Sequence, residues 1–217
     1  VAAAGIPATF LPEVVSSGSV VGALPASTAR KLGLVPGIPV HVPIGDNQAS
    51  MLATIRCPEE DIALTLGTGG QLSVILRDAP GQGGLDNEST WELRPFPGRR
   101  FAAVAACLCG GESWKWLAQH VLHWLEEMEL DPPAGFDVYR LLNELGLKSA
   151  GAPRVTPTFL GERFDPRIRG RIEDLDMDNF TLAGLARGLA EGIVKNLADL
   201  LPAEFMRDRK RVVGSGN

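Results

Sequence analysis

Asp46 stands where a strand-like run, Ile38 to Ile44, passes through Gly45 into a helix-forming stretch, Asn47 to Ile55. Open α/β sheets place ligands at such strand-to-helix turns, and the positive end of a helix favours an ionised carboxylate. An ionised Asp at that point can orient a hydroxyl nucleophile and accept its proton, as phosphoryl transfer requires. The competing reading is a cap whose carboxylate accepts backbone N–H bonds.

A second candidate is Gly67-Thr68-Gly69-Gly70, between the apolar runs Asp61 to Leu66 and Gln71 to Leu76. The pattern predicts a β-hairpin with a glycine-rich tip. Such a tip lets backbone N–H groups approach a phosphate and sets a hydroxyl beside it. It is not a Walker A loop, because no Lys follows and a strand comes next. An ordinary tight turn would read the same way. Gly214-Ser215-Gly216, after the strand-like Arg211-Val212-Val213, has the form of a small-residue loop that cradles a phosphate or nucleoside, or of any strand-to-helix turn.

Other reactive side chains are less organised. His120 and His123 lie one helical turn apart but lack a third ligand, so no metal site is assigned. Cys107 and Cys109 alternate as in a strand, with no second Cys/His pair at ligand spacing, and read as small buried filler. Glu162, Arg163, Arg167 and Arg169 form a mixed charge run, either a solvated loop or the lining of a site.

The elements that must position these groups follow from periodicity. Residues 81–98 are polar and rich in Gly and Pro, and read as a surface loop. Phe101 to Leu108 is an apolar strand ending at Gly110-Gly111, where a helix begins with Trp114, Leu117, Val121, Trp124, Leu125 and Met128 at helical spacing. Phe136 to Leu147 is a second helix, Arg154 to Leu160 a strand, and Leu182 to Leu201 the longest helix. Gly184, Gly188 and Gly192 recur every fourth residue along that helix, which implies close backbone approach by a neighbour. Strands alternating with helices, with a hairpin among them, predict a mixed α/β sheet flanked by helices.

Composition narrows the functional classes. The 217 residues are 45% hydrophobic and 22% charged, enough to build a core. A net charge of -5 supplies no electropositive footprint for nucleic acid. No apolar run reaches the roughly 18 residues of a membrane helix, and no signal-like segment opens the chain, so a soluble, cytoplasmic protein is expected. Val1 in place of Met, and a strand-like close at Asn217, read as cut ends of a longer protein.

Taken in order, Ile44-Gly45-Asp46-Asn47-Gln48-Ala49-Ser50, Leu66-Gly67-Thr68-Gly69-Gly70-Gln71, Cys107-Leu108-Cys109-Gly110-Gly111-Glu112, Thr156-Pro157-Thr158-Phe159-Leu160-Gly161-Glu162-Arg163 and Val212-Val213-Gly214-Ser215-Gly216-Asn217 resemble successive motifs of the FGGY carbohydrate kinases. Arg187 to Gly192 is similar to that family's long helix, although Glu173-Asp174 stands where a glycine and an apolar residue are usual. The resemblance implies an actin-like ATPase, ribonuclease H-like fold, here incomplete. Residues 1–57 would be the end of a first, sugar-binding domain, and residues 58–217 a second, nucleotide-binding domain cut short at its C-terminus. It implies transfer of the ATP γ-phosphoryl group to a primary hydroxyl of a ketose, with Mg2+ entering with ATP. Sedoheptulose is the expected sugar, with xylulose or another sugar as the alternative; a non-catalytic actin-like nucleotide-binding protein is the rival of another class. By the same likeness Asp46 is the general base and Asn47 contacts substrate. Gly67, Thr68 and Gly69 face the ATP phosphates, Gly111 and Lys115 line the nucleotide pocket, and Gly214, Ser215 and Gly216 open the adenosine loop. The 217 residues alone would then be inactive.

Overall fold

A computed structural model describes residues 4–81 and 89–216. After a single 3-10 turn at Ala8–Phe10, the chain forms β1 (Val20–Ala23), α1 (Ala26–Leu32), β2 (Pro39–His41) and α2 (Asp46–Thr54). Strands β1 and β2 pair as an antiparallel ribbon whose side chains are all exposed. The strand expected over Ile38 to Ile44 is therefore only three residues long; Pro39 and Pro43 lack the N–H groups that a longer ladder would need.

The main sheet follows: β3 (Asp61–Leu66), β4 (Gly70–Leu76), β5 (Trp91–Phe96) and β6 (Arg100–Cys107). The predicted hairpin is present, with β3 and β4 antiparallel from Ala63 opposite Ser73 to Leu66 opposite Gly70. Strand β5 corrects the sequence reading of residues 81–98 as a surface loop. Trp91 and Phe96 at its ends are buried, and it pairs with β6 across Pro95, which is tolerated because β5 is an edge strand. Part of that expected loop, 82–88, lies outside the described residues.

Helices α3 (Gly111–Glu127) and α4 (Val138–Lys148) come next, then the short ribbon of β7 (Arg154–Thr156) and β8 (Arg171–Glu173). Strand β7 stops at Thr156 rather than running to Leu160, because Pro157 cannot donate to a ladder. The long helix α5 (Leu182–Leu200), the turn-length α6 (Ala203–Met206) and β9 (Arg211–Gly216) complete the described chain. The sheet order is β5-β6-β4-β3-β9, with β9 parallel to β3 and the other pairs antiparallel. This is the mixed sheet flanked by helices that the pattern implies.

Strand periodicity sorts the side chains onto two faces. Leu72, Val74, Ala103, Ala105 and Cys107 pack with Leu117, Val121, Leu142, Leu189 and Leu197 of α3, α4 and α5. Ala63, Ile75, Ala102 and Val104 turn the other way and enclose Met51 of α2. Helix α2 thus covers one face while α3, α4 and α5 cover the other. In α3 the buried stripe is Ser113, Leu117, Ala118 and Val121; Trp124 and Met128, which share the predicted apolar face, remain exposed.

The glycine row in α5 has the packing role its spacing suggests. A Cβ at Gly188 would stand 2.4 Å from the Pro153 carbonyl oxygen, and one at Gly192 would stand 2.0 Å from that of Val155. The backbone of β7 therefore rests directly on the helix.

The start of the sheet is fastened by Asp61, which is 1% exposed. Its carboxylate accepts from the Arg56 and Cys57 amides at 2.9 and 3.0 Å and from both ends of the Arg211 guanidinium at 3.0 and 2.8 Å. The Arg211 bond, followed by the Cys57 and Arg56 amides, holds the carboxyl well below the usual carboxylate range. Because the folded pKa is lowered, the unfolded chain binds more protons and stability rises with pH. The contribution is complete above about pH 4 and drains away as pH falls further toward the folded value. Asp61→Asn is expected to flatten the loss of stability below about pH 4, measured as urea midpoints over acid pH; an acid limb as steep as that of the parent would contradict this assignment.

Candidate active site

The tip of the β3–β4 hairpin is built on backbone contact. Gly110 N–H donates to the Thr68 carbonyl at 3.2 Å, Gly111 N–H to that of Gly67 at 2.7 Å, and Glu112 N–H to that of Thr68 at 3.0 Å. Helix α3 has no side-chain cap; the carbonyls of the tip satisfy its first amides instead. The approach requires glycine, since a Cβ at Gly110 would lie 2.3 Å from the Gly69 carbonyl carbon and oxygen. Among the described residues, the Thr68 and Gly69 amides have no hydrogen-bond acceptor. A Cβ at Gly67 would meet nothing within 4 Å, so the tip is open to a ligand.

Two recesses meet at this tip. On the α3/α5 face a cleft of about 840 Å³ is lined by Gly67, Thr68, Gly111, Lys115, Tyr139 and Asn143, a volume within the range of small-molecule sites. Lys115 is exposed there, 3.3 Å from Glu112 one turn earlier. On the α2 face a recess of about 400 Å³ is lined by Asp46, Asn47, Ser50, Gly67, Gly69 and Arg163, among others. Gly67 belongs to both, so the wall between them is one hairpin tip thick.

Asp46 is the first residue of α2 and is exposed at the rim of the smaller recess. One carboxylate oxygen accepts from the Asn47 amide at 2.6 Å. Gly45, not Asp46, holds the N-cap position and no side-chain cap bond is made, so the capping alternative is not the one the helix uses; the carboxylate's position in the recess fits a role toward a ligand. Asn47 is 5% exposed and donates through Nδ2 to Ser73 Oγ at 3.2 Å, leaving its buried Oδ1 without a partner. One turn on, Ser50 Oγ lies 3.3 Å from Ser215 Oγ, itself 3.0 Å from Thr65 Oγ1. These contacts tie α2 to β3, β4 and β9.

The structure thus brings together Asp46, Asn47, Gly67 and Gly69 in one recess and Gly67, Thr68, Gly111 and Lys115 in the other. It does not bring Gly214, Ser215 and Gly216 to the larger cleft. They are not a loop but the end of β9, paired with Leu64, Thr65 and Leu66 of β3. The sequence reading stopped the strand at Val213 because small residues have low strand propensity; the available edge of β3 overrides it. His120 bonds the Trp116 carbonyl within its own helix, and His123 faces Glu126 and Glu127.

Glu162 differs most from a solvated charge run. It is 2% exposed, Oε1 accepts from Asn196 Nδ2 at 2.8 Å, and Oε2 is buried without a partner. Burial pushes its carboxyl pKa up, and the Asn196 amide and the Leu108 backbone pull it only part of the way back. Arg163 belongs to the charge run read as a solvated loop or the lining of a site, and it lines the smaller recess. Tyr139, Asn143 and Ser50 were not singled out; of these, only Ser50, four residues after Asp46 on the same helix face, carried a readable signal.

Residues 1–53 match the model for the N-terminal domain of the FGGY family of carbohydrate kinases. The chain is 28% identical over 218 aligned positions to human (Homo sapiens) sedoheptulokinase, an alignment covering 98% of this chain and 44% of that protein. Among solved structures, xylulose kinase from Rhodospirillum rubrum superposes with a TM-score of 0.74 at 26% identity, over 97% of this chain and 41% of the other. Plasmodium falciparum glycerol kinase with ADP shares the fold at a TM-score of 0.56 and 19% identity, over 95% of this chain and 40% of the other. The chain therefore spans less than half the length of these relatives.

Because Glu162 has a raised folded pKa, the native state holds its proton longer than the unfolded chain, and stability falls as pH rises from about 4.3 through the folded value. Glu162→Gln should remove that slope and match or exceed the parent's stability at neutral pH, measured by thermal unfolding from acid to neutral pH. A variant less stable at neutral than at acid pH would refute it. Residues 1–53 are thus similar to the N-terminal domain of the FGGY carbohydrate kinases, and nearly the whole chain is similar in fold to a solved sugar kinase.

Proposed function

We propose that this chain carries the general base and nucleotide-binding surface of an ATP-dependent sugar kinase. The observation that carries the reading is the shared recess: the Asp46 carboxylate and the open tip at Gly67 and Gly69 line one cavity, joined at Gly67 to the larger cleft. A triphosphate in the larger cleft would cross the tip to present its terminal phosphoryl group on the Asp46 side. The residues fit such a ligand, with unbonded amides at Thr68 and Gly69, the Thr68 side chain, and the Lys115 ammonium nearby. ADP in the glycerol kinase structure is consistent with this use of the fold.

Asp46 takes the proton from the sugar's primary hydroxyl as that oxygen bonds to the γ-phosphorus and the bond to the β-phosphate oxygen breaks, releasing ADP. Asn47, anchored on Ser73 through Nδ2, lines the recess beside Asp46 and is the proposed substrate contact. Gly111 holds α3 against the tip. Gly214 to Gly216 enter this proposal as a strand end beside the tip, not as nucleotide contacts. Mg2+ would enter with the nucleotide substrate, where it would neutralise charge on the transferring phosphoryl group. Residues 1–57 are read as the end of a sugar-binding domain and residues 58–217 as the nucleotide-binding part of the protein. Sedoheptulose is the proposed acceptor, supported by the likeness to human sedoheptulokinase. The xylulose kinase likeness favours xylulose as the second reading.

Asp46→Asn in the full-length protein should lower kcat by on the order of 10²- to 10⁴-fold while ATP affinity changes little; an unchanged kcat would sink the assignment. Across a panel of sedoheptulose, xylulose and glycerol, kcat/KM should be highest on sedoheptulose, and a clear preference for either of the others would overturn that choice of sugar.

A further inference from the structure

The recess that holds Asp46 contains a cation to which the reading above gives no task. Among its described lining residues, Arg163 alone is positively charged. We propose that Arg163 contacts the phosphoryl group as it passes from nucleotide to acceptor, offsetting the charge that Asp46 and the phosphate bring together. This rests on the kinase reading of the site.

The argument starts from charge. A transferring phosphoryl group spreads negative charge over its equatorial oxygens, and the proposed base beside it is a carboxylate. Backbone amides at the tip supply partial positive charge, while Lys115 lies in the other cleft beside Glu112. A guanidinium matches phosphate oxygens in a two-pronged fashion that an ammonium does not.

Arg163 is also free to do this. Among the described residues its one side-chain partner is Glu92, reached by Nη1 at 3.3 Å. Glu92 is already held by Arg94, whose Nε and Nη2 reach the other carboxylate oxygen at 3.0 and 2.7 Å. The Arg163 side chain is 54% exposed, and ion pairs of that kind are weak. Among the described residues, four of its five N–H donors have no partner.

Its backbone, in contrast, is fixed. The adjoining Glu162 is buried against Asn196 of α5, its amide donates to the Asp165 carbonyl at 3.0 Å, and Leu160 N–H reaches Cys109 Sγ at 3.4 Å. Phe159, four residues before Arg163, stacks on Trp116 of α3 with ring centroids 4.5 Å apart. An exposed side chain on an anchored backbone suits a group that engages its ligand only during transfer.

In the full-length protein, Arg163→Gln should lower kcat by on the order of 10²-fold. The Kd for ADP, measured by calorimetry, should stay within about twofold, because ADP lacks the transferred group. Arg163→Lys should recover only part of the rate, and free guanidinium should raise the rate of Arg163→Ala but not of the parent. A wild-type kcat in Arg163→Gln, or ADP binding that falls in step with kcat, would overturn the proposal. If Arg163→Gln does not fold, a wild-type kcat in Arg163→Lys would overturn the two-pronged contact. The controls separate the two readings: Asp46→Asn inactive with Arg163→Gln fully active rejects Arg163 alone, whereas both fully active rejects the kinase site itself.

Discussion

Contact between bare backbone at the β3–β4 tip and at the β6–α3 turn is the constraint from which the site follows. A Cβ at Gly110 would collide with Gly69, one at Gly111 with the Gly67 carbonyl and one at Gly69 with the Cys107 carbonyl, and the Gly67 and Thr68 carbonyls replace the cap that α3 lacks. Because those carbonyls point into the helix, the Thr68 and Gly69 amides are turned away from it. A Cβ at Gly110, 2.3 Å from Gly69, would force the two segments apart, uncapping the helix and tilting the tip. The wall between the two recesses is thin for the same reason: it consists of backbone.

Two buried carboxylates show how the same residue class serves opposite ends. Asp61 is surrounded by donors, two amides and a guanidinium, so its ionised form is the stable one and it locks β3 to β9 and to the chain leaving α2. Glu162 has one side-chain amide and an orphaned oxygen, so burial dominates and ionisation is disfavoured. The first is a structural fastening whose energetics are nearly closed. The second leaves an unsatisfied acceptor in the wall next to the recess, a costly arrangement to retain for packing alone.

Local chemistry was legible where it acts locally. The hairpin could be read from two apolar runs around glycines, the start of α2 from Gly45-Asp46, and the α5 packing from its four-residue glycine period. Strand β5 and the end of β9 were not, since their strand character comes from neighbours far away in sequence: β6 recruits the Pro-containing Trp91–Phe96 segment, and β3 recruits Gly214 to Gly216. The site divides the same way. Asp46 and the tip glycines carry motif-like surroundings, whereas Arg163 reaches their recess only because Glu162 folds inward, and a charge run has no periodicity that announces which member will be buried.

Helix α2, which carries Asp46, is joined to the sheet behind the hairpin tip more firmly than to the ribbon that precedes it. Met51 inserts α2 into the sheet, Asn47 bonds Ser73 on β4, and Ser50 meets Ser215 on β9, beside Thr65 on β3. The β1–β2 ribbon, by contrast, buries none of its strand side chains. Since a displacement of about 1 Å between reacting groups can cost on the order of 10² in rate, it matters that Asp46 and Gly67 ride on the same sheet. The proposed base and the tip are therefore held in one frame, and the part of the recess left to adjust is the Arg163 side chain, whose one ion pair among the described residues is exposed.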